Sequence, residues 1–403
     1  MNRNFSLFLC CLSLCLFNLT SASAQSRLKL RAFTTVKPAR DSKGNPISPQ
    51  NSVSSLTTFT YNVTSSRDGK PYTGVMVGQD PFGSDFSPTT VTTPIIPLII
   101  TVNTLATGVN SNNVLSTKNG TATLDPATAD TTCLSAPNDV PLTLFQQSPI
   151  FQSSNFDFGH TFVGRTQYLD AFQRGNFWQL VGGTHYHTLV SPTVLDPITI
   201  NIPANSGLAI PAGLFGNCGA EGIVAITELD PIFVNILSQL TSQGRIDTSQ
   251  FPIFLLYNVV MSVGQPTDLN KCCVLGFHGA TGTPIQTYSP IDFETSGFFI
   301  PPIHDTSIAA HEVGEWMDDP FGNNPTPAWG HTGQVSGCQN NLEVGDPLTG
   351  TNVPSVNGAN GFTYHLQELA FFSWFYGTPS IAVNNWFSDN NTFKSDAGPV
   401  CSK

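Results

Sequence analysis

Charged residues are scarce in this chain of 403 residues. They make up 11% of it, with 16 Lys and Arg against 27 Asp and Glu, whereas a typical soluble domain has about 25% charged residues. The sequence contains no cluster of basic residues, which the neutralisation of phosphates requires, so we expect no nucleic-acid partner. Thr, Ser, Asn, Gly and Pro take the place of the charges, which is typical of an extracellular β-rich protein.

Long apolar runs are also absent. No stretch approaches the roughly 18 apolar residues of a membrane-spanning helix, so we expect a protein that does not span a membrane. Residues 1–24 are instead predicted to be an export signal, with Arg3, a short apolar core from Phe5 to Phe17, and a small-residue cleavage site at Ala22-Ser23-Ala24. The mature protein is expected to begin at Gln25 and to be secreted, either to the medium or to the periplasm.

Closely spaced cysteine motifs are missing as well. Three of the nine cysteines lie in the predicted signal, and the other six show no C-x-x-C spacing, which argues against a cysteine zinc site and against thioredoxin chemistry. An even number in an exported chain predicts up to three disulfides, although their pairing does not follow from the sequence. Cys272 and Cys273 are adjacent and are expected to bond to different partners. The six cysteines are Cys133, Cys218, Cys272, Cys273, Cys338 and Cys401.

Several common catalytic signatures do not occur. The chain has no G-x-S-x-G elbow, no phosphate-binding loop and no dinucleotide-binding fingerprint. Serine hydrolase and nucleotide-dependent functions therefore have little support.

The pattern of residue types along the sequence divides the chain into a β-rich region, residues 25–150, and a predicted metal-binding domain, residues 151–403. Thr57 to Val63 and Thr92 to Val102 carry the β-branched and aromatic residues of strands. In the second part, Gln167 to Trp178 is predicted to be helical.

Further along, Asp230-Pro231 is typical of a helix start, because Asp caps helices and Pro fits the first helical position. Two strand-like runs follow, Ile253 to Met261 and Cys272 to Phe277.

The most informative stretch is His311-Glu312-Val313-Gly314-Glu315. It is predicted to lie on a helix that begins at Asp305 or Thr306 and ends before Pro320. Residues i and i+4 share a helix face, so His311 and Glu315 can bind one metal ion, with Glu312 beside them as the general base for a water. This is the H-E-x-x-H arrangement of zincins with Glu in place of the second His. The alternative is a surface helix with an ordinary His–carboxylate pair.

Acidic residues continue after the motif. Glu343 and Asp346 are candidates for a further metal ligand or for a partner that orients one, although Gly345-Asp346-Pro347 is also typical of a turn. Asp318-Asp319-Pro320 places carboxylates at a helix C-terminus, where they oppose the helix dipole. Either a metal or a buried hydrogen-bond network compensates for this, or the helix end is solvated.

Other histidines are weaker candidates. His331 and His304 are predicted to be metal ligands, donors that stabilise the transition state, or structural residues. The pair His185 and His187 is interpreted as structural, since no carboxylate lies nearby in the sequence. His278, at the end of a strand-like run, carries no argument for a function.

From the motif helix onward, the chain resembles exported bacterial zincin-like proteins of the gluzincin type. Those proteins carry His-Glu-x-x-Glu, then Asp-Pro, then Glu-x-x-Asp. The resemblance implies an α+β fold with a zincin-like catalytic domain, and it implies that Glu343 is the third protein ligand. The metzincin pattern does not fit, because its third His position is occupied by Phe321. The matching residues are His311, Glu312, Glu315, Asp319, Pro320, Glu343 and Asp346.

These observations predict an exported metal-dependent peptidase. Zn is the expected cofactor, although one His with two carboxylates also suits Mn or Ca and makes a bound water less acidic than in His-rich sites. The alternative is a protein of a different functional class, a non-catalytic exported surface or adhesive binding protein on a degenerate zincin scaffold. It is favoured by Glu315, which takes the place of the second His of the zincin motif.

Overall fold

The protein is described here from a computed structural model. The described residues are 32–40, 45–47, 54–134, 139–299, 303–378, 381–395, 398 and 401. The predicted export signal, residues 1–24, lies outside them.

Strands dominate the described part of the chain. They are β1 (Phe33–Lys37), β2 (Thr58–Thr64), β3 (Pro71–Val77), β4 (Thr89–Val109), β5 (Leu115–Leu124), β6 (Ser154–Phe158), β7 (Thr161–Thr166), β8 (Thr188–Val194), β9 (Ile198–Ile202), β10 (Gly207–Ile210), β11 (Glu221–Ala225), β12 (Ile253–Tyr257), β13 (Val259–Ser262), β14 (Cys272–Thr281), β15 (Gln286–Phe293), β16 (Pro325–Gly330), β17 (Cys338–Asn341), β18 (Ser355–Asn357) and β19 (Thr363–His365).

The α-helices of the described residues are fewer. They are α1 (Pro141–Gln146), α2 (Tyr168–Asn176), α3 (Trp178–Val181), α4 (Ile226–Ser242), α5 (Ser307–Asp318) and α6 (Phe372–Tyr376). Among the described residues, no helix combines the length and the apolar character needed to cross a membrane.

Seven strands close into a barrel. Their order is β14, β13, β11, β10, β4, β12 and β15, and β15 pairs back to β14. The long strand β4 also pairs with β5, β8 and β9, while β1 adds to β14 in parallel. The structure is 38% strand and 18% helix, so the predicted α+β fold with a zincin-like catalytic domain is wrong. The reason is long-range pairing: β4 and β12, far apart in the chain, are neighbours in one closed sheet.

The two largest apolar cores of the described residues lie against the strands. One contains the buried face of α4, including Leu229, Phe233 and Leu240. The other contains α2, α5 and α6. The predicted helix start at Asp230 is wrong, because α4 begins at Ile226 and Pro231 lies inside it. The apolar stripe already includes the fully buried Leu229 and therefore extends the helix upstream.

The motif helix α5 has the predicted bounds. Thr306 is its N-cap and Asp319 its C-cap, and every residue from Ser307 to Asp318 is buried. The surface-helix alternative is therefore wrong. Gly276 of β14 permits this burial, since a Cβ there would lie 2.8 Å from Ile308 Cγ2 and 3.1 Å from Glu312 Cγ.

Three cysteine pairs are disulfide-bonded. Cys133 bonds to Cys218, and Cys338 bonds to Cys401. Cys272 and Cys273 bond to each other, so the expectation of different partners for them is wrong.

Candidate metal centre

Helix α5 brings His311 and Glu315 together as their spacing predicts. His311 Nε2 lies 2.9 Å from Glu315 Oε1. Both side chains are at most 1% exposed, so the pair lies inside the protein. Thr349 and Gln367 surround the other ring nitrogen, Nδ1, with the Gln367 Oε1 atom 3.1 Å away. The Nε2 atom is therefore the one directed at the carboxylates.

The segment after β17 closes over this pair. Glu315 Oε1 accepts hydrogen bonds from the backbone N–H groups of Gly345 and Asp346, each at 3.2 Å. Asp346 Oδ1 lies 3.5 Å from His311 Nε2, and Asp346 Oδ2 accepts a hydrogen bond of 2.7 Å from Gln339. Asp346 starts a short 3₁₀ helix, Asp346–Leu348, which agrees with the predicted turn, and its role as a metal ligand stays a prediction.

Glu343 lies close to Glu315 and to His278. Ligand atoms of Glu343, Glu315 and His278 all lie within 4.8 Å of one another. Asn341 Nδ2 donates a hydrogen bond of 2.5 Å to Glu343 Oε1. Burial, with added repulsion from Glu315, raises the pKa of Glu343 well above its usual value. Glu343 therefore joins the cluster through Glu315 and His278, while Asp346 approaches His311.

His278 is the member that sequence reasoning missed. Its Nδ1 atom lies 3.5 Å from Glu312 Oε2 and 3.5 Å from Glu315 Oε2, and neither ring nitrogen makes a hydrogen bond. Burial works against its charge, yet the Glu312 and Glu315 carboxylates raise the pKa of His278 to about 10. One signal was available: His278 follows Gly276 by two residues in a strand, so both face the motif helix.

Glu312 is buried beside His311 and Glu315. It is fully buried, and neither of its carboxylate oxygens has a hydrogen-bond partner. Ligand atoms of Glu312, His311 and Glu315 lie within 4.8 Å of one another. Burial raises the pKa of Glu312 to about 7, although His278 and His311 oppose this effect. Orphaned buried oxygens beside orphaned imidazole nitrogens fit a cation that is held between them.

The end of α5 is buried rather than solvated. Asp319 accepts hydrogen bonds of 2.9 Å from the backbone N–H groups of Asn323 and Asn324. Asp318 accepts a hydrogen bond of 3.0 Å from Asn176 Nδ2. A buried hydrogen-bond network therefore compensates for carboxylates at a helix C-terminus.

His304 and His331 lie apart from this cluster. The His304 ring packs on His365 with ring centroids 4.6 Å apart, and His365 Nδ1 lies 2.6 Å from Asp305 Oδ2. His331 is exposed in a turn with φ of 54°, near the Cys338–Cys401 disulfide. Within the described residues, neither belongs to a group of ligand atoms that includes His311 or Glu315.

A cleft lies next to the cluster. Its volume is about 650 Å³, and its lining includes Thr34, Gln334, Gln339 and Asp346. Thr34 Oγ1 lies 2.6 Å from His311 Nε2. The imidazole therefore lies directly beneath the floor of the cleft, with β1 and Asp346 above it.

Comparisons with protein-family models, with curated proteins and with solved structures find no match to this chain. The resemblance to zincin-like proteins thus stays a prediction that rests on the motif residues alone.

Proposed function

We propose that this protein is a metal-dependent hydrolase whose ion is held by His311, Glu315 and Asp346. The observation that carries the proposal is that His311 Nε2 lies 2.9 Å from Glu315 Oε1 and 3.5 Å from Asp346 Oδ1, and that Asp346 lines the cleft next to them. One imidazole and carboxylates suit Zn and Mn. Glu343 and His278 provide further ligand atoms close to Glu315.

Glu312 is the proposed general base. A bound divalent ion lowers the pKa of a water and polarises a carbonyl oxygen. Glu312 takes the proton from the water and passes it to the leaving group, a role that suits a carboxylate whose pKa is about 7. His278, 3.5 Å from Glu312 Oε2, holds this carboxylate in place.

An extended peptide is the proposed substrate. The outward backbone groups of Thr34 in β1 are paired with the side-chain amide of Gln334, since Thr34 N donates to Gln334 Oε1 at 2.7 Å and Gln334 Nε2 donates to Thr34 O at 3.2 Å. An amide in this position imitates the main chain of a neighbouring strand. A peptide that replaces Gln334 along β1 would pass over Asp346 and His311.

The test combines metal analysis with hydrolysis. The purified chain is loaded with Zn²⁺, Mn²⁺ or Ca²⁺ in turn and assayed on an unstructured protein such as casein. Glu312→Gln is expected to keep its metal and to lose about 100-fold or more in kcat, the usual effect of removing a general base. His311→Ala is expected to lose both metal and activity.

Matched controls lie outside the centre. Glu228→Gln in the first turn of α4 and His185→Ala, an exposed histidine, should retain metal and activity. Hydrolysis that survives Glu312→Gln removes Glu312 from the mechanism. Metal binding by the native chain without cleavage of any peptide favours the non-catalytic binding protein instead, an outcome that the deep burial of Glu312 and His311 also suits.

A further inference from the structure

A second group of acidic residues lies away from the motif helix. Glu221 begins β11, Asp292 is in β15, and Glu294 follows β15 directly. All three side chains are 0% exposed. β11 pairs with β10 and β13, and β15 pairs with β12 and β14, so the group joins strands that are not neighbours in the barrel.

Hydrogen bonding satisfies only one oxygen of each carboxyl group. Val259 N donates to Asp292 Oδ1 at 3.0 Å. The single hydroxyl of Ser296 lies 2.8 Å from Glu221 Oε2 and 2.6 Å from Glu294 Oε1 and can donate to only one of them. Glu221 Oε1, Asp292 Oδ2 and Glu294 Oε2 are buried without a partner.

The three carboxyl groups lie close together. One ligand atom from each of the three residues lies within 4.8 Å of the other two. None of the ion pairs among the described residues includes a member of this group, so no Lys, Arg or His compensates for their charge there. Three buried carboxylates repel one another strongly unless a cation or shared protons neutralise them.

We infer that Glu221, Asp292 and Glu294 form a calcium site, separate from the centre on α5. The donors are hard carboxylate oxygens without nitrogen or sulfur, which suits Ca²⁺ better than Zn²⁺. Mg²⁺ normally retains several waters, whereas Ca²⁺ accepts ligands supplied entirely by the protein, as full burial of all three residues requires.

An entry route lies beside the site. A cleft of about 370 Å³ is lined by Gly219 and Ala220, which precede Glu221, and by Tyr257 and Asn258. Its rim also carries Asp125 and Asp130, so the approach to the site is acidic. The bound ion links β11 to β15 and stabilises the closed barrel by binding the folded state alone.

The test measures thermal unfolding of the full chain after chelation and again with CaCl₂ alone. At about 10 mM Ca²⁺, above the affinity range of extracellular calcium modules, the native chain should gain about 3 °C or more in Tm. Asp292→Asn and Glu294→Gln should abolish this gain. After chelation, each variant should unfold at the Tm of the native chain or above it, because one buried charge has been removed.

Controls separate this site from other binding. His311→Ala should keep the full calcium gain and one Ca²⁺ per chain, whatever happens to hydrolysis. Asp85→Asn, an exposed carboxyl group, should also keep it. The inference is overturned if the native chain shows no gain, or if the gain persists in both Asp292→Asn and Glu294→Gln. If Asp292→Asn or Glu294→Gln does not fold, the calcium stoichiometry of His311→Ala decides the question. A value of zero Ca²⁺ per chain refutes the site.

Discussion

Some single residues of this protein matter because their small size lets neighbouring side chains come close. Gly345 shows this best: it lies between the ligand candidates Glu343 and Asp346, and its N–H donates to Glu315 Oε1. Its backbone angles, φ −83° and ψ −37°, suit any residue, so its small size matters rather than its conformational freedom. A Cβ at Gly345 would lie 2.6 Å from His311 Cγ and 2.7 Å from Cε1.

Gly345→Ala is therefore expected to push the His311 ring away from Glu315. Metal affinity should fall by about tenfold or more, the usual effect of disturbing the support of a ligand. Isothermal titration with Zn²⁺ and Mn²⁺ measures this. The matched control is Gly183→Ala, an exposed turn position where a Cβ meets nothing within 4 Å. Equal affinities in the two variants would contradict the packing argument.

A few polar side chains join secondary-structure elements, because they hydrogen-bond to backbone groups that have no partner in a neighbouring strand. Among the described strands, β3 pairs only with β2, in a two-stranded sheet. The side chain of the buried Asn324 hydrogen-bonds to both backbone groups of Val75 in β3. It accepts a bond of 2.9 Å from the Val75 N–H and donates one of 2.7 Å to the Val75 carbonyl. Asn324 also donates to Asp318 O at 2.7 Å, so one amide ties β3 to the end of α5.

Asn324→Ala should destabilise the protein because it leaves these buried backbone groups without partners. We expect the free energy of unfolding to fall by about 2–4 kcal/mol, measured by urea denaturation. Asn62→Ala is the control: Asn62 is exposed and accepts one hydrogen bond, from Thr73. Its effect should stay within about 0.5 kcal/mol. A similar loss in both variants would mean that Asn324 does not hold the two elements together.

Across the whole molecule, a chain with few charges buries many of its acids. Burial raises the pKa of Asp318 and of Asp389 to about 8, so both carboxyl groups stay largely protonated at pH 7 and the formal charge of −11 overstates the charge of the folded chain. Carboxyl groups that stay protonated in the folded state make stability depend on pH in the direction opposite to ordinary salt bridges.

Asp389 offers a clean case away from the metal centre. It accepts hydrogen bonds from Tyr168 Oη at 2.6 Å and Leu369 N at 2.7 Å. Burial, with the nearby charge of Glu368, raises the pKa of Asp389 to about 8. Between about pH 4 and 8 the folded chain therefore holds a proton that the unfolded chain has released. This contribution to stability is complete below pH 4 and is lost as the pH rises to 8.

Asp389→Asn should remove this loss of stability between pH 4 and 8. Its free energy of unfolding should decline less steeply than that of the native chain between pH 4 and 8, by at most about 1.4 kcal/mol per pH unit. Denaturation at several pH values measures both slopes. Asp196→Asn, whose side chain in the native protein is 91% exposed, should keep the native slope. Parallel slopes for all three proteins would show that Asp389 is ionised in the fold.

The sequence by itself determined the local features. The bounds of α5 follow from Thr306 and from Asp319-Pro320, and the approach of His311 to Glu315 follows from the helical repeat, because both depend only on near neighbours in the chain. The strand Thr92 to Val102 was likewise visible in its β-branched residues and lies within β4.

Only the tertiary structure decided which other residues these helices and strands contact. Closure of the barrel depends on pairs such as β4 with β12 and β14 with β15, whose register no local pattern specifies. His278 lies on a strand with no motif around it, and it reaches Glu312 only because Gly276 lets α5 pack closely on β14. Asp346 lies near His311 and Glu343 lies with Glu315 and His278, because side chains distant in sequence meet only where the chain has closed around them.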